Sequence, residues 1–355
     1  MEIEEEESKK EKPKAKEKDS NKKIKLFNRK ITKVKILGDG TYGTVYKVEF
    51  VDNPGVYYAL KKFKLQSRND GFDVSALREI TILKELNHEN IEKILDMFYN
   101  SMQSLFILKE YIDTELRDLL NKCKYKRHPD LILTEADKKG IMQQILSGLV
   151  EIHRNGIIHR DLATSNLLIK KNGILKISDF GLARFIASPG RPMSQGVITL
   201  NYRSPEILFG SKFYSFPTDI WSAGCIFAEL LTEEILFPGK TDVEILKKIF
   251  NLLGVPNESN WPDSVQLPGF RVFKGTPQTS IQNKFAKYSE ESRDLLEKLL
   301  VLNPNKRITA EEALKHPYFN KEPLPAKKER IAEIVKNYKI LDNSLRCKYI
   351  LFLFF

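Results

Sequence analysis

The sequence predicts an α+β fold of two unequal lobes, a small antiparallel β-sheet lobe with one helix followed by a larger, mainly helical one. Two patterns carry this reading. From Ile31 apolar and polar residues alternate in "ITKVKILGDG", "GTVYKVEFV" and "VYYALKKF", the period of a half-buried strand. After the strand-like "SLFILKEYI" the apolar residues recur every three to four positions, the period of a helix packed by one face.

Taken in order, residues 1–30 are Glu-rich and then Lys-rich, with almost no large apolar side chain before Ile24. Such a segment cannot offset its ordering entropy by burial, and a disordered charged tail is expected. Its "KKEKPKAKEK" run has the composition of a nuclear-import signal and equally of a solvating tail. The turn "DNPG" joins two strands of a meander, and "ALREITILKELN" supplies the helix of the small lobe. "TEADKKGIMQQILSGLVEIHRNG" opens the large lobe's helices, with Thr134 as cap, Asp137 three residues on and Gly156 as the stop. These patterns divide the chain into a tail (1–30), a domain (31–320) with lobes of about 31–111 and 112–320, and a C-terminal extension (321–355) ending in the apolar "YILFLFF".

Composition narrows the function classes. No apolar run approaches the ~20 residues of a membrane span, and "MEIEEEESKK" lacks the apolar core of a secretory signal. The reading is a protein of the nucleus or cytoplasm with no membrane partner. Cys123, Cys225 and Cys347 lie far apart and are odd in number, so neither a disulfide framework nor a zinc site is expected. The net charge of +11 comes from lysines spread among glutamates, without an arginine-rich arm, so no specific nucleic-acid partner is expected.

Three motifs carry chemistry. "GDGTYGTV" fits G-x-G-x-x-G-x-V between two strands, the setting of a flap whose N–H groups cover phosphates, rather than between strand and helix as in a dinucleotide site. On the next strand Lys61 can reach the α and β phosphates of a nucleotide under that flap, and Glu79 is its natural ion-pair partner. "HRDLATSN" and "DFG" follow: Asp161 can accept a hydroxyl proton, while Asn166 and Asp179 offer the hard oxygens that Mg²⁺ prefers.

In this order and spacing the motifs resemble a eukaryotic protein kinase over about Ile31 to Asn320. The resemblance implies a two-lobed fold, ATP and Mg²⁺, and catalytic roles for Asp161, Asn166, Lys61 and Glu79. It implies an ATP site of Leu37, Gly38, Asp39, Gly40, Thr41, Tyr42, Gly43, Val45 and Lys61, continued by Glu110, Ile112 and Glu115 where the lobes join. It pairs Glu206 of "YRSPEI" with Arg307, and has Asp219 of "DIWSAGC" brace the catalytic loop from below.

"SALREITILKELNHENI", "DFGLAR" and "LFPGKTDVEILKKIFNLLGVPNESNWP" are similar to the cyclin-dependent kinases of the CMGC group. That likeness implies a cyclin-like subunit and Ser/Thr-Pro substrates. It also implies an activation-loop phosphosite at Ser194 bridging Arg78, Arg160 and Arg184, and candidate inhibitory phosphosites at Thr41 and Tyr42. "FIASPGRPMSQGVITL", "SPEILFGSKFY" and "HPYFNKEPLPA" most resemble the transcription-associated branch, especially the CDK-activating kinase of general transcription factor TFIIH, with the transcription machinery as partner.

Three positions depart from the pattern. Ala163 replaces the lysine that contacts the transferring phosphate, and Asn201 replaces the tryptophan of "WYR". Loss of one charge-assisted contact costs about 2–4 kcal/mol of transition-state stabilisation, a rate penalty of roughly a hundredfold or more. Lys109 stands at the gatekeeper position beside the adenine pocket, where its ammonium must find a partner, reach water or lose its proton. Pointing toward the phosphates and turning outward are its two expected orientations. Ala163 and Lys109 motivate a second reading, a pseudokinase that binds nucleotide and a cyclin as a scaffold.

Overall fold

The computed structural model describes residues 24–26, 29–39, 43–63, 74–99, 105–126, 132–186, 193, 198–273, 275 and 277–352. The small lobe is a six-stranded antiparallel sheet: β1 (Ile24–Leu26), β2 (Arg29–Asp39), β3 (Gly43–Phe50), β4 (Asn53–Phe63), β5 (Ile94–Tyr99) and β6 (Leu105–Glu110), in the order β1-β2-β3-β4-β6-β5. The pairing Ile24↔Ile31 starts the sheet upstream of the boundary near residue 30, because a hairpin is made by backbone bonds that a reading of apolar side chains does not register.

Register decides which side chains meet. Lys61 pairs with Ile107 and Ala59 with Lys109, so strand alternation puts Lys61 and Lys109 on one face of the sheet. The other face buries Ile31, Val48, Phe50, Leu60, Phe98, Phe106 and Leu108. Helix α1 (Val74–Glu85) covers the face that carries the lysines, packing Ala76 and Ile80 against Phe63, Leu105 and Ile107. Glu79, one residue before Ile80, is thereby turned toward both lysines.

The large lobe begins with α2 (Leu116–Lys126) and α3 (Glu135–Arg154). Thr134 caps α3 through the Asp137 N–H, and the Asp137 carboxylate returns to the Thr134 N–H at 2.9 Å. Four short strands follow, β7 (Ile157–Ile158), β8 (Leu167–Ile169), β9 (Leu175–Ile177) and β10 (Arg184–Phe185), paired β8 with β9 and β7 with β10. Then come α4 (Pro205–Leu208), α5 (Pro217–Thr232), α6 (Asp242–Leu253), α7 (Ile281–Lys284), α8 (Glu290–Leu299), α9 (Ala310–Leu314) and α10 (Pro317–Asn320). Helix α5 is buried on every side from Thr218 to Leu231, as its near-continuous apolar sequence requires.

The C-terminal extension forms α11 (Lys328–Phe352), which packs on α2 and α3 through Ile331, Ile334, Val335 and Tyr338. Two glycines permit its approach. A Cβ on Gly140 would lie 2.4 Å from the Ala326 carbonyl, and one on Gly173, at φ +81°, would lie 1.8 Å from that of Lys328. Lys339 then reaches the segment joining the lobes, donating to the Asp113 carbonyl at 2.6 Å and pairing with its carboxylate at 3.1 Å. Among the described residues no helix is long and apolar enough to cross a membrane.

Candidate active site

A cleft of about 1230 Å³ separates the lobes. Leu37, Gly38, Asp39, Gly43 and Val45 form its roof, Glu110, Ile112 and Glu115 the connecting wall, and Asp179 part of its floor. The roof is the hairpin of β2 and β3, with Gly38 opposite Val45 and Asp39 opposite Thr44, whose hydroxyl donates to the Asp39 carboxylate at 2.8 Å. Gly40, Thr41 and Tyr42 lie outside the described residues.

Behind the cleft, Lys61 Nζ lies 2.7 Å from Glu79 Oε2 and 3.6 Å from Asp179 Oδ1. The expected Lys61–Glu79 pair is therefore formed. Lys109 finds partners for its ammonium, the first of the expected outcomes, but points neither toward the phosphates nor outward. It turns inward, 8% exposed, with Nζ 3.0 Å from Glu79 Oε1 and 3.0 Å from Glu92 Oε1. The reason is the register above: Lys109 shares the face of Lys61, where the nearest relief for a buried ammonium is carboxylate rather than water.

Burial works to raise the Glu79 carboxyl, but Lys109 and Lys61 outweigh it and hold it below the usual carboxylate range. Burial likewise works to lower Lys109, yet Glu92 and Glu79 hold it above the ordinary lysine range, so it keeps its proton. The cleft walls partly desolvate Asp179, whose side chain is open to the cleft, and against that Lys61 and Lys109 bring its carboxyl below the ordinary value.

The loop that carries Asp161 runs from β7 to β8. Asp219 on α5 accepts the backbone N–H groups of His159 and Arg160 at 2.9 and 3.0 Å and lies 3.0 Å from His153 Nε2, which supports Arg160 at its strained φ of 65°. The Asp161 carboxylate is held from both sides. Thr199 donates its N–H and hydroxyl to Oδ1 at 2.9 and 2.7 Å, and Asn166 Nδ2 donates to Oδ2 at 3.1 Å and to the Asp161 carbonyl at 2.7 Å. The Asn166 carbonyl accepts the Ser178 N–H at 2.9 Å, which puts Asn166 beside Asp179, itself at φ 61°.

Ala163 is fully buried. Among the described residues the side-chain donors to the Asp161 carboxylate are Thr199 and Asn166, with no basic side chain in an ion pair with it. Because the Asn166 amide nitrogen is spent on Asp161, its Oδ1 is left for a cation. No cluster of three or more His, Cys, Asp or Glu forms among the described residues, and two protein oxygens suit Mg²⁺, which keeps waters and shares phosphate oxygens.

Glu206 and Arg307 pair as expected, with bidentate bonds of 2.7 and 2.6 Å. Arg160 donates to the Leu182 carbonyl at 2.6 Å and to the Tyr214 hydroxyl at 3.0 Å. Arg78 lies on α1 and Arg184 on β10, elements that touch each other beside Leu182, while Ser194 lies outside the described residues. Asn201 Oδ1 accepts the Gly239 N–H at 3.2 Å, and Arg203 holds the Ile198 carbonyl at 2.9 Å and Asp242 at 2.8 Å. Glu92 and Thr199 are the site residues that motif reading does not single out. A lysine inside the otherwise apolar "LFILKEYI" does signal that some acid must meet it.

The protein kinase domain model matches residues 31–319. Cyclin-dependent kinase 11 of Dictyostelium discoideum is 41% identical over 296 residues, covering 82% of this chain and 81% of that protein. A chain in the structure of the CAK complex from Chaetomium thermophilum bound to ATP-γ-S superposes with a TM-score of 0.75 at 37% identity, covering 84% of this chain and 94% of its own. The cleft, the Lys61–Glu79 pair and the Asp161 loop thus sit in a fold shared with cyclin-dependent kinases, and the chain belongs to the protein kinase family as a serine/threonine kinase of the cyclin-dependent type.

Proposed function

We propose that the chain transfers the γ-phosphate of ATP to serine or threonine hydroxyls followed by proline, in complex with a cyclin-like subunit. The observation that carries this is the meeting of three groups: Asn166 binds the Asp161 carboxylate through its amide and sits next to Asp179 through Ser178. In this reading Asp161 orients the substrate hydroxyl and accepts its proton, and Lys61, aimed by Glu79, binds the α and β phosphates. Asn166 and Asp179 hold Mg²⁺, which when bound neutralises charge on the phosphate oxygens.

The preference for proline is supported by Arg203. The Ile198 carbonyl beside Asp161's partner Thr199 is already engaged by that guanidinium, so a substrate residue without an N–H loses nothing there. A cyclin-like partner is supported by α1, whose Val74 and Leu77 are 67% and 47% exposed, and by the assembly named for the Chaetomium relative. Phosphorylated Ser194 would draw Arg78, Arg160 and Arg184 together, with residues 31–320 as the kinase domain and work in transcription or the cell cycle, in nucleus or cytoplasm.

The test uses protein copurified with its native partners, Mg·ATP, and two peptides that differ only by Pro or Ala after the target serine. Transfer that stops with EDTA and favours the Pro peptide by about tenfold or more, the cost of leaving the alanine N–H without an acceptor, is expected. Transfer that ignores EDTA contradicts the metal assignment, and equal use of both peptides contradicts the proline preference.

A further inference from the structure

Behind the cleft, four side chains form one continuous ladder of charge. Lys61 binds Glu79 Oε2 at 2.7 Å, Lys109 binds Glu79 Oε1 at 3.0 Å, and the same ammonium binds Glu92 Oε1 at 3.0 Å. That Glu92 oxygen also accepts the backbone N–H of Asp179 at 2.8 Å. Glu92 is itself fixed by backbone: its N–H donates to the Ile177 carbonyl at 3.0 Å, and the Ile177 N–H donates to Asn90 at 2.8 Å.

The ladder joins α1 through Glu79, β6 through Lys109, and the turn that starts at Asp179. Side-chain exposures of 10% for Lys109, 11% for Glu92 and 1% for Glu79 take it out of bulk water. Either added charge alone would leave the buried cluster with one net charge, whereas together they cancel in formal charge. Lys61 satisfies Oε2 of Glu79, and Lys109 is the side-chain donor to its buried Oε1. What Lys109 and Glu92 add is a tie from Glu79 to Asp179 that persists when Lys61 turns to a phosphate.

We propose that Lys109 and Glu92 are positioning residues that hold α1 inward and the Asp179 backbone in place, so that the cleft is preassembled even without a partner on α1. Apolar side chains at these two positions would fill the space but could neither grip the second Glu79 oxygen nor accept the Asp179 N–H. The pair therefore acts on geometry, and its removal changes order in α1 and turnover more than it changes stability.

The role within phosphate transfer rests on the kinase reading, so one readout is independent of it. Amide hydrogen exchange across Val74–Glu85 is measured in the partner-free full chain for wild type, Lys109→Met, Lys109→Met/Glu92→Met and Lys109→Arg. The double variant carries the test should the single one misfold, since two methionines leave no unpaired charge. In it, protection of α1 is expected to fall about 10- to 100-fold, the size of one buried charge-assisted hydrogen bond, with the melting temperature lowered by only a few degrees. Lys109→Arg is expected to restore α1 protection.

In the partner complex kcat of the double variant is expected to fall by a similar factor, roughly 10- to 100-fold for a displaced catalytic group, while the ATP KM moves far less. Wild-type protection of α1, or wild-type kcat, in the double variant overturns the assignment. A wild type that transfers no phosphate counts against the kinase reading and leaves the exchange comparison to decide the role of the pair.

Discussion

Asp161→Asn is expected to lower single-turnover phosphate transfer by roughly 10²- to 10⁴-fold, the usual share of a positioned general base, while nucleotide affinity stays close to wild type. The side chain keeps its volume but can no longer accept a proton. It also conflicts with its surroundings, because Asp161 Oδ1 receives two donors from Thr199 and Oδ2 receives Asn166 Nδ2. Every one of those contacts wants an acceptor, so an amide NH₂ must face a donor whichever way it is flipped. Rapid-quench transfer with a parallel titration of nucleotide separates the two quantities. Near wild-type transfer would mean that Asp161 is not the group that receives the hydroxyl proton.

The second large effect lies far from the cleft. Arg307 and Glu206 have side chains 0% and 5% exposed and share two charge-assisted bonds, and Arg307 also satisfies the carbonyls of Val301, Leu302 and Pro217. Arg307→Ala leaves Glu206 buried and charged with Thr218 as its remaining side-chain donor, at 3.3 Å. Breaking a buried pair in this way costs about 3–5 kcal/mol, which for a domain of this size lowers the melting temperature by roughly 6–20 °C. Arg307→Lys keeps the charge but not the fork, and is expected to melt between the two. A thermal shift below a few degrees in Arg307→Ala would show that the pair is not a main support of the large lobe.

Much of the site could be read from the chain because its groups come in fixed local spacings. Asp161 and Asn166 are five residues apart on one loop, and Lys61 needs only a strand facing a helix to find Glu79. Asp219 and Arg307 were legible through the motifs that carry them, and both make the bonds their motifs imply. Glu92 was not legible. It becomes a site residue only because the backbone at residues 90–92 runs beside β9 and because β6 turns Lys109 to the same side as Lys61. Several acids were equally near in sequence, and periodicity cannot choose among them. The docking of α11 was hidden for a related reason: it depends on two bare patches, at Gly140 and Gly173, that lie in other elements.

On the kinase reading "HRDLATSN" works as a catalytic loop despite Ala163. The deciding measurement is γ-phosphate transfer from Mg·ATP to a Ser-Pro-rich peptide, using protein copurified with its native partners, with ATP binding followed in the same samples. Measurable transfer by the wild type is predicted, with Ala163→Lys faster by up to about a hundredfold if the added ammonium regains the lost contact. ATP binding with no transfer in either protein would mean that the loop does not work and that the fold is kept as a nucleotide-binding scaffold.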